Sequence, residues 1–364
     1  MYFEINSKEM WELKVLKQLI YRSLGVLLSS TGLLLLMIAA IFHNLTPLSQ
    51  SSAQRGDWTA LLGSLTVLAG AGLTFYLLRQ GDSTWKSYLI HGLLVPGLLA
   101  WTALGLFIYI IQDSLIFSPR TLSPQRYQAI RELYPQAEEI RIETGSHVLH
   151  GWLLPTSTDY TAPLVLVFYG QGGEASRYFE LAEYLPNAHW AFINYRGYGL
   201  SSGTPSEEAL LSDSVTVFDY FSAHPRVDSR HIVALGGSLG TGIAAYLASQ
   251  RPLAAVVLFS PYDSIAGGVA QDLIPFIPTR WLLRNKFDVM DYARATSVPA
   301  MAIIGDADEV IQPERSLGLI ENWSGPSLVQ IISRGTHYSI YEDQSSWEAI
   351  ARFLENLNII ISNQ

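Results

Sequence analysis

His231-Ile-Val-Ala-Leu-Gly236-Gly-Ser238-Leu-Gly240-Thr-Gly242-Ile-Ala-Ala245 passes from an apolar run through a glycine-rich turn into a small-residue helical pattern. That order reads as strand, sharp turn, helix. In a G-x-S-x-G elbow the serine sits on a strained turn that holds its hydroxyl out at a sheet edge. Gly236 and Gly240 must then lack side chains that would strike neighbouring backbone. Ser238 is the candidate nucleophile. Five-residue patterns of Gly and Ser also recur by chance in unrelated loops, so the reading depends on what the rest of the chain supplies.

Working outward from the elbow, short apolar runs alternate with helical patterns. Upstream lie strands over 139–143, 148–154, 164–169 and 190–195, a helical pattern over 176–185 and a helix over 206–221. That last helix has Ser206 as its cap, Pro205 before it and Glu207-Glu208 in its first turn. Downstream come strands over 254–259, 300–304 and 328–332, with helices over 313–322 and 346–357. Strands and helices alternating at this spacing imply an α/β fold, a mostly parallel sheet covered on both faces. The mixed apolar stretch from Asp272 to Leu283 suits either core packing or an acyl-pocket lid.

A serine hydroxyl is a weak nucleophile at neutral pH. It needs a histidine to take its proton and a carboxylate to orient and stabilise the imidazole. In an elbow architecture these follow in the order Ser, Asp or Glu, His, each in a loop after a strand. Gly305-Asp-Ala-Asp308-Glu-Val-Ile311 follows one predicted strand and Arg334-Gly-Thr-His337 follows the next. His337 is the only histidine downstream of Ser238, so it is the candidate base. Asp308 is taken as the acid, with Asp306 second and Asp263 third; the carboxylates not used would be solvated turn residues. The developing oxyanion needs backbone N–H donors. Phe168-Tyr-Gly-Gln171-Gly-Gly-Glu174 follows the third strand, so Gln171 and Leu239 are the expected donors. A phosphate-cradling loop is disfavoured, because no Gly-Lys-Ser/Thr follows and Glu174 adjoins.

The chain has 364 residues, 49% hydrophobic and 15% charged, with a positive mean hydropathy that points to lipid. The first 112 residues hold seven Lys/Arg and five Asp/Glu. The remainder, with 16 and 27, carries a net charge of −11, which excludes nucleic acid as a partner. There is no cysteine, hence no disulfide framework, thiolate chemistry or cysteine zinc site. An uncharged run over 24–42 would span about 28 Å as a helix, near the roughly 30 Å hydrocarbon core. Two further runs cover 58–78 and 88–111. Three transmembrane helices are expected, with a membrane domain over 1–112 and a second domain over 113–364; a cleaved signal peptide fits less well. Four basic residues precede the first run, one lies in the first loop and two in the second. That bias puts the N-terminus in the cytoplasm and everything after Ile111 on the opposite side. The expected setting is multi-pass, in a bacterium its cytoplasmic membrane.

The chain resembles the alpha/beta-hydrolase superfamily, in particular the membrane-anchored serine hydrolases of the depalmitoylase-like group. The resemblance covers about residues 113–358. It rests on Ser114-Leu-Ile-Phe-Ser-Pro119, Asn194-Tyr-Arg-Gly-Tyr-Gly-Leu-Ser-Ser-Gly203, the elbow, Gly305-Asp-Ala-Asp308-Glu-Val-Ile311 and Gly335-Thr-His337. It implies an alpha/beta-hydrolase fold with Ser238 as nucleophile, Asp308 as acid, His337 as base and Gln171 and Leu239 as oxyanion donors, with no cofactor and no metal. The family's oxyanion loop begins His-Gly and ends in Asn; here those positions are Tyr169 and Glu174. The expected function is hydrolysis of acyl esters or thioesters through an acyl-enzyme, on a lipid or small acyl substrate or an acylated protein at the bilayer. A serine peptidase of the same fold and a noncatalytic membrane scaffold are the alternatives.

Overall fold

The apolar runs flanking the elbow assemble into one large sheet. The computed structural model describes residues 20, 23–36, 94–156 and 161–360. It opens with helices Ser23–Leu36 and Val95–Ile116, then β1 (Ser118–Pro119) and helix Pro124–Leu133. Next come β2 (Glu138–Thr144), β3 (His147–Leu154), β4 (Ala162–Phe168), β5 (Gly172–Gly173), a 3-10 helix Ala175–Tyr184 and β6 (His189–Ile193). Helix Glu207–Ser222 leads to β7 (Val227–Gly237), helix Leu239–Gln250 and β8 (Ala255–Phe259). After short turns and helix Val289–Ala295, β9 (Ala300–Gly305), helix Pro313–Glu321, β10 (Ser327–Ile332) and helix Gln344–Asn356 close the described chain.

The eight-stranded sheet runs β10-β9-β8-β7-β4-β6-β3-β2. From β6 to β10 every pairing is parallel, while β3 runs antiparallel to both β6 and β2. β6, β8 and β9 are buried along their whole length, as strands covered by helices on both faces must be. Because the parallel strands point the same way, the loops after β4, β7, β8, β9 and β10 open at one edge of the sheet, where ligands of open α/β sheets collect. Ser238, Asp308, His337 and Gln171 lie in those loops, and Leu239 opens the helix that follows the β7 turn.

The expected strands match within two residues, except that β7 starts at Val227 rather than His231. The pattern over 176–185 is a 3-10 helix. Glu174 Oε2 accepts from Ser176 N two residues on, which tightens its entry. Helix Glu207–Ser222 begins where expected, with Ser206 Oγ accepting from Ala209 N at 3.2 Å. Glu207 does more than meet the helix dipole, since its carboxylate accepts from Lys286 N and Phe287 N. Helix Pro124–Leu133 was not expected; its cap, Ser123 Oγ accepting from Arg126 N, precedes a largely polar segment without an apolar stripe.

The chain divides into two compact units, one ending at Ile111 and including Leu273–Pro278, the other comprising Gln112–Asp272 and Thr279–Gln364. Of the three expected spans, the third answers to helix Val95–Ile116, which begins later and runs past Ile111. Among the described residues it is the one helix long and apolar enough to cross a membrane. The described part of the first is the shorter helix Ser23–Leu36, and the second, 58–78, lies outside the described residues. A three-span arrangement is therefore not what the described residues display. The stretch from Asp272 to Leu283 divides by residue: Ile274, Ile277 and Leu283 are buried, whereas Trp281 is 87% exposed.

Candidate active site

Ser238 links β7 to helix Leu239–Gln250 with φ 50° and ψ −120°, the left-handed strain that an elbow serine bears. The flanking glycines are required by space. A Cβ on Gly240 would lie 1.9 Å from the Phe168 carbonyl oxygen, and one on Gly236 would lie 2.7 Å from the Gly240 carbonyl oxygen. A larger residue at 240 would push β4 away from the elbow, and one at 236 would push away the helix that follows it.

His337, from the loop after β10, places Nε2 3.1 Å from Ser238 Oγ. Its Nδ1 faces both oxygens of Asp308, at 3.1 and 3.0 Å. With the Nδ1 proton donated to that carboxylate, Nε2 is the free acceptor for the serine hydroxyl. Asp308 and His337 are both buried. Burial pushes the Asp308 carboxyl up, but hydrogen bonding and charge from His337, with help from Ser260 and the Ile311 N–H, outweigh it and hold the carboxyl below the usual range. Val310 N and Ile311 N donate to Oδ1 at 2.9 Å, so the turn itself aims the carboxylate.

The crowded turn resolves by burial. Asp306 is exposed and accepts from Arg334 N, tying the β9 loop to the β10 loop, while Glu309 is exposed. Asp263 pairs with Arg315 at 2.8 Å. Ser260, buried directly after β8 at φ 47°, donates to Asp308 Oδ2 at 2.6 Å. Sequence reading missed this residue. The only local signal was a Ser-Pro at the end of a strand.

The loop after β4 passes over Ser238: a Cβ on Gly170 would meet Ser238 Cβ at 3.5 Å. Leu239 opens its helix, where the first N–H groups have no acceptor inside the helix. The Gln171 N–H is not among the loop's backbone bonds within the described residues. Three tyrosines brace the loop through its carbonyl oxygens. Tyr195 Oη donates to Tyr169 O at 2.7 Å, Tyr198 Oη to Gln171 O at 2.7 Å, and Tyr178 Oη to Gly172 O at 3.2 Å. Burial pushes the Tyr195 and Tyr198 hydroxyls up, and that of Tyr178 to about 12, so all three stay protonated donors.

Tyr169, at the family's His position, is buried between the rings of Tyr178 and Tyr195, with its hydroxyl on Asn194 Oδ1 at 3.2 Å. Asn194 Oδ1 also accepts from Ala175 N. Glu174, at the family's Asn position, turns inward to cap Ser176 through its backbone N–H and hydroxyl. The Asn194-Tyr-Arg-Gly-Tyr stretch is thus scaffold; Arg196 forms a bidentate pair with Asp213 at 2.8 and 2.7 Å.

A protein-family model described as serine aminopeptidase, S33, matches residues 160–287. An uncharacterized protein of Mycobacterium tuberculosis is 30% identical over 273 residues, which cover 73% of this chain and 96% of that protein. The alpha/beta hydrolase domain-containing protein WAV2 of Arabidopsis thaliana is 25% identical, over 48% of this chain and 63% of WAV2. The chain belongs to the alpha/beta-hydrolase superfamily. An esterase of Pyrococcus furiosus superposes on this alpha/beta hydrolase with a TM-score of 0.54 at 17% identity, covering 67% of this chain and 98% of the esterase. At that identity the likeness speaks for the fold.

Proposed function

We propose that this chain is a membrane-bound serine hydrolase that cleaves acyl esters or thioesters through an acyl-enzyme. The observation that carries the reading is the continuous relay from Ser238 Oγ through the His337 ring to Asp308. As Ser238 Oγ attacks the acyl carbon, its proton passes to His337 Nε2. The imidazolium that forms is stabilised by ionised Asp308. The carbonyl oxygen becomes an oxyanion facing the N–H groups of Gln171 and Leu239, each such donor commonly worth about 10²–10³ in rate. His337 then protonates the leaving alcohol or thiol, and a water repeats the sequence to release the acid.

The 22-residue helix Val95–Ile116, about 33 Å long, supports a membrane setting. The finer topology is part of the proposal: a membrane domain over 1–112, a hydrolase domain over 113–364, several spans, and the hydrolase domain outside the cytoplasm. Protease added to right-side-out spheroplasts should then digest the hydrolase domain. Digestion only in inverted vesicles would reverse the orientation.

A chain tethered to the bilayer would meet acyl substrates where they concentrate. Each buried methylene contributes about 0.8 kcal/mol, so kcat/KM on p-nitrophenyl esters and acyl thioesters should rise severalfold per two carbons until the acyl site is full. The matched family's description supports a second reading, an aminopeptidase-like hydrolase. The same assay with aminoacyl amides, blanked with Ser238→Ala, decides between them. Amides turning over faster than every ester and thioester would install the peptidase.

A further inference from the structure

The chain leaving helix Val95–Ile116 runs directly into the oxyanion loop. β1 pairs in parallel with β5, Ser118 against Gly172 and Pro119 against Gly173. Ser118 N donates to Gln171 O at 3.1 Å, and also faces Tyr198 Oη at 3.1 Å; Arg120 N donates to Gly173 O at 3.3 Å. The side-chain amide of Gln171, turned so that its nitrogen faces the helix, donates to Leu115 O at 3.0 Å and Ile116 O at 3.2 Å. Those carbonyls belong to the last turn, whose acceptors have no partner inside a helix. The same stretch is also held elsewhere: Arg284 N donates to Gln112 Oε1 at 2.6 Å, and Arg284 and Asn285 donate to Asp113 at 2.7 and 2.8 Å. One residue therefore offers its backbone N–H to the oxyanion and its side chain to the end of the apolar helix.

We infer that the last turn of helix Val95–Ile116, gripped by the Gln171 side chain, is a positioning element of the oxyanion site. This rests on the serine-hydrolase reading. The consequence is mechanical. A small shift of a donor relative to a developing charge is felt in the transition state far more than in substrate binding. Loosening the grip should lower kcat and spare KM.

The test uses the full chain in detergent, p-nitrophenyl butyrate as substrate, and a fluorophosphonate probe to titrate reactive serine. Gln171→Met keeps the backbone N–H and the side-chain length but removes the amide donor. Gln171→Glu sets a carboxylate against two carbonyl oxygens. For Gln171→Met we expect kcat per titrated serine to fall about tenfold with KM unchanged, titratable serine retained and Tm lowered by no more than a few degrees, and for Gln171→Glu to fall further. Wild-type kcat per titrated serine in both variants would overturn the inference. So would a loss of Tm and of titratable serine in proportion, since that is the mark of a merely structural contact. If the wild-type chain takes no label at all, the hydrolase reading fails, and this inference with it.

Discussion

The elbow and the loop after β4 meet at Ser238 but are built in opposite ways. The elbow is held mainly by local chain geometry, two glycines that space demands, a strained serine and a helix starting at the next residue, with one long-range bond from Ser238 N to Phe259 O at 3.0 Å. The loop after β4 leans on contacts borrowed from elsewhere in the chain, among them three tyrosine hydroxyls and the strand β1. A self-held element tolerates change around it and fails abruptly when its own residues change. A braced element should fail by degrees as supports are removed one at a time.

The largest effect that can break this comparison lies in the triad. Asp308→Asn should lower kcat by about 10⁴, as the loss of a carboxylate orienting a catalytic histidine does, while Asp306→Asn should cost no more than about threefold. The reverse ranking, measured as kcat/KM on one ester, would move the acid to Asp306. The supports come next. Ser260→Ala removes a hydrogen bond to a charged group, worth about 1.5–3 kcal/mol, and should reduce kcat by roughly 10- to 100-fold. Tyr198→Phe and Tyr195→Phe each remove one neutral brace and should reduce kcat by about three- to tenfold, with KM unchanged. A loss at either tyrosine as large as that from Asp308→Asn would erase the distinction between held and braced.

The smallest effect is on stability against acid. The Asp308 carboxyl is held below its unfolded value of about 3.9, so its ionised form adds stability above that pH and loses it as pH falls through the folded value. Asp308→Asn should flatten the fall in Tm below about pH 4. An unchanged acid limb would mean that the carboxylate gains nothing from its buried partners.

The same contrast governs what could be read without coordinates. Ser238 and His337 were legible because the chemistry that marks them lies within a few residues of chain: an elbow, and a sole downstream histidine after a strand. Asp308 was separable from Asp306 only by burial, which a turn with three acids does not announce. Ser260 and Gln171 act through partners 48 and about 55 residues away, and such pairings leave no local pattern. Tyr169 and Glu174 stood out as departures from the family's loop. Their consequence, an aromatic stack and an inward cap, needed the fold. The parallel sheet was legible from buried apolar runs, whereas helix Pro124–Leu133 was not, having a cap but no apolar stripe.

The central claim is that Ser238 is the nucleophile of an ester or thioester hydrolase. Its most direct test is a fluorophosphonate reaction on the detergent-solubilised chain, followed by intact mass and peptide mapping beside Ser238→Ala. Loss of the nucleophile in such a unit typically lowers kcat by about 10⁴–10⁶. The account predicts a single adduct on Ser238 in the wild type, and neither adduct nor turnover above the blank in Ser238→Ala at unchanged Tm. An adduct on any other residue, or full labelling of Ser238→Ala, would contradict it.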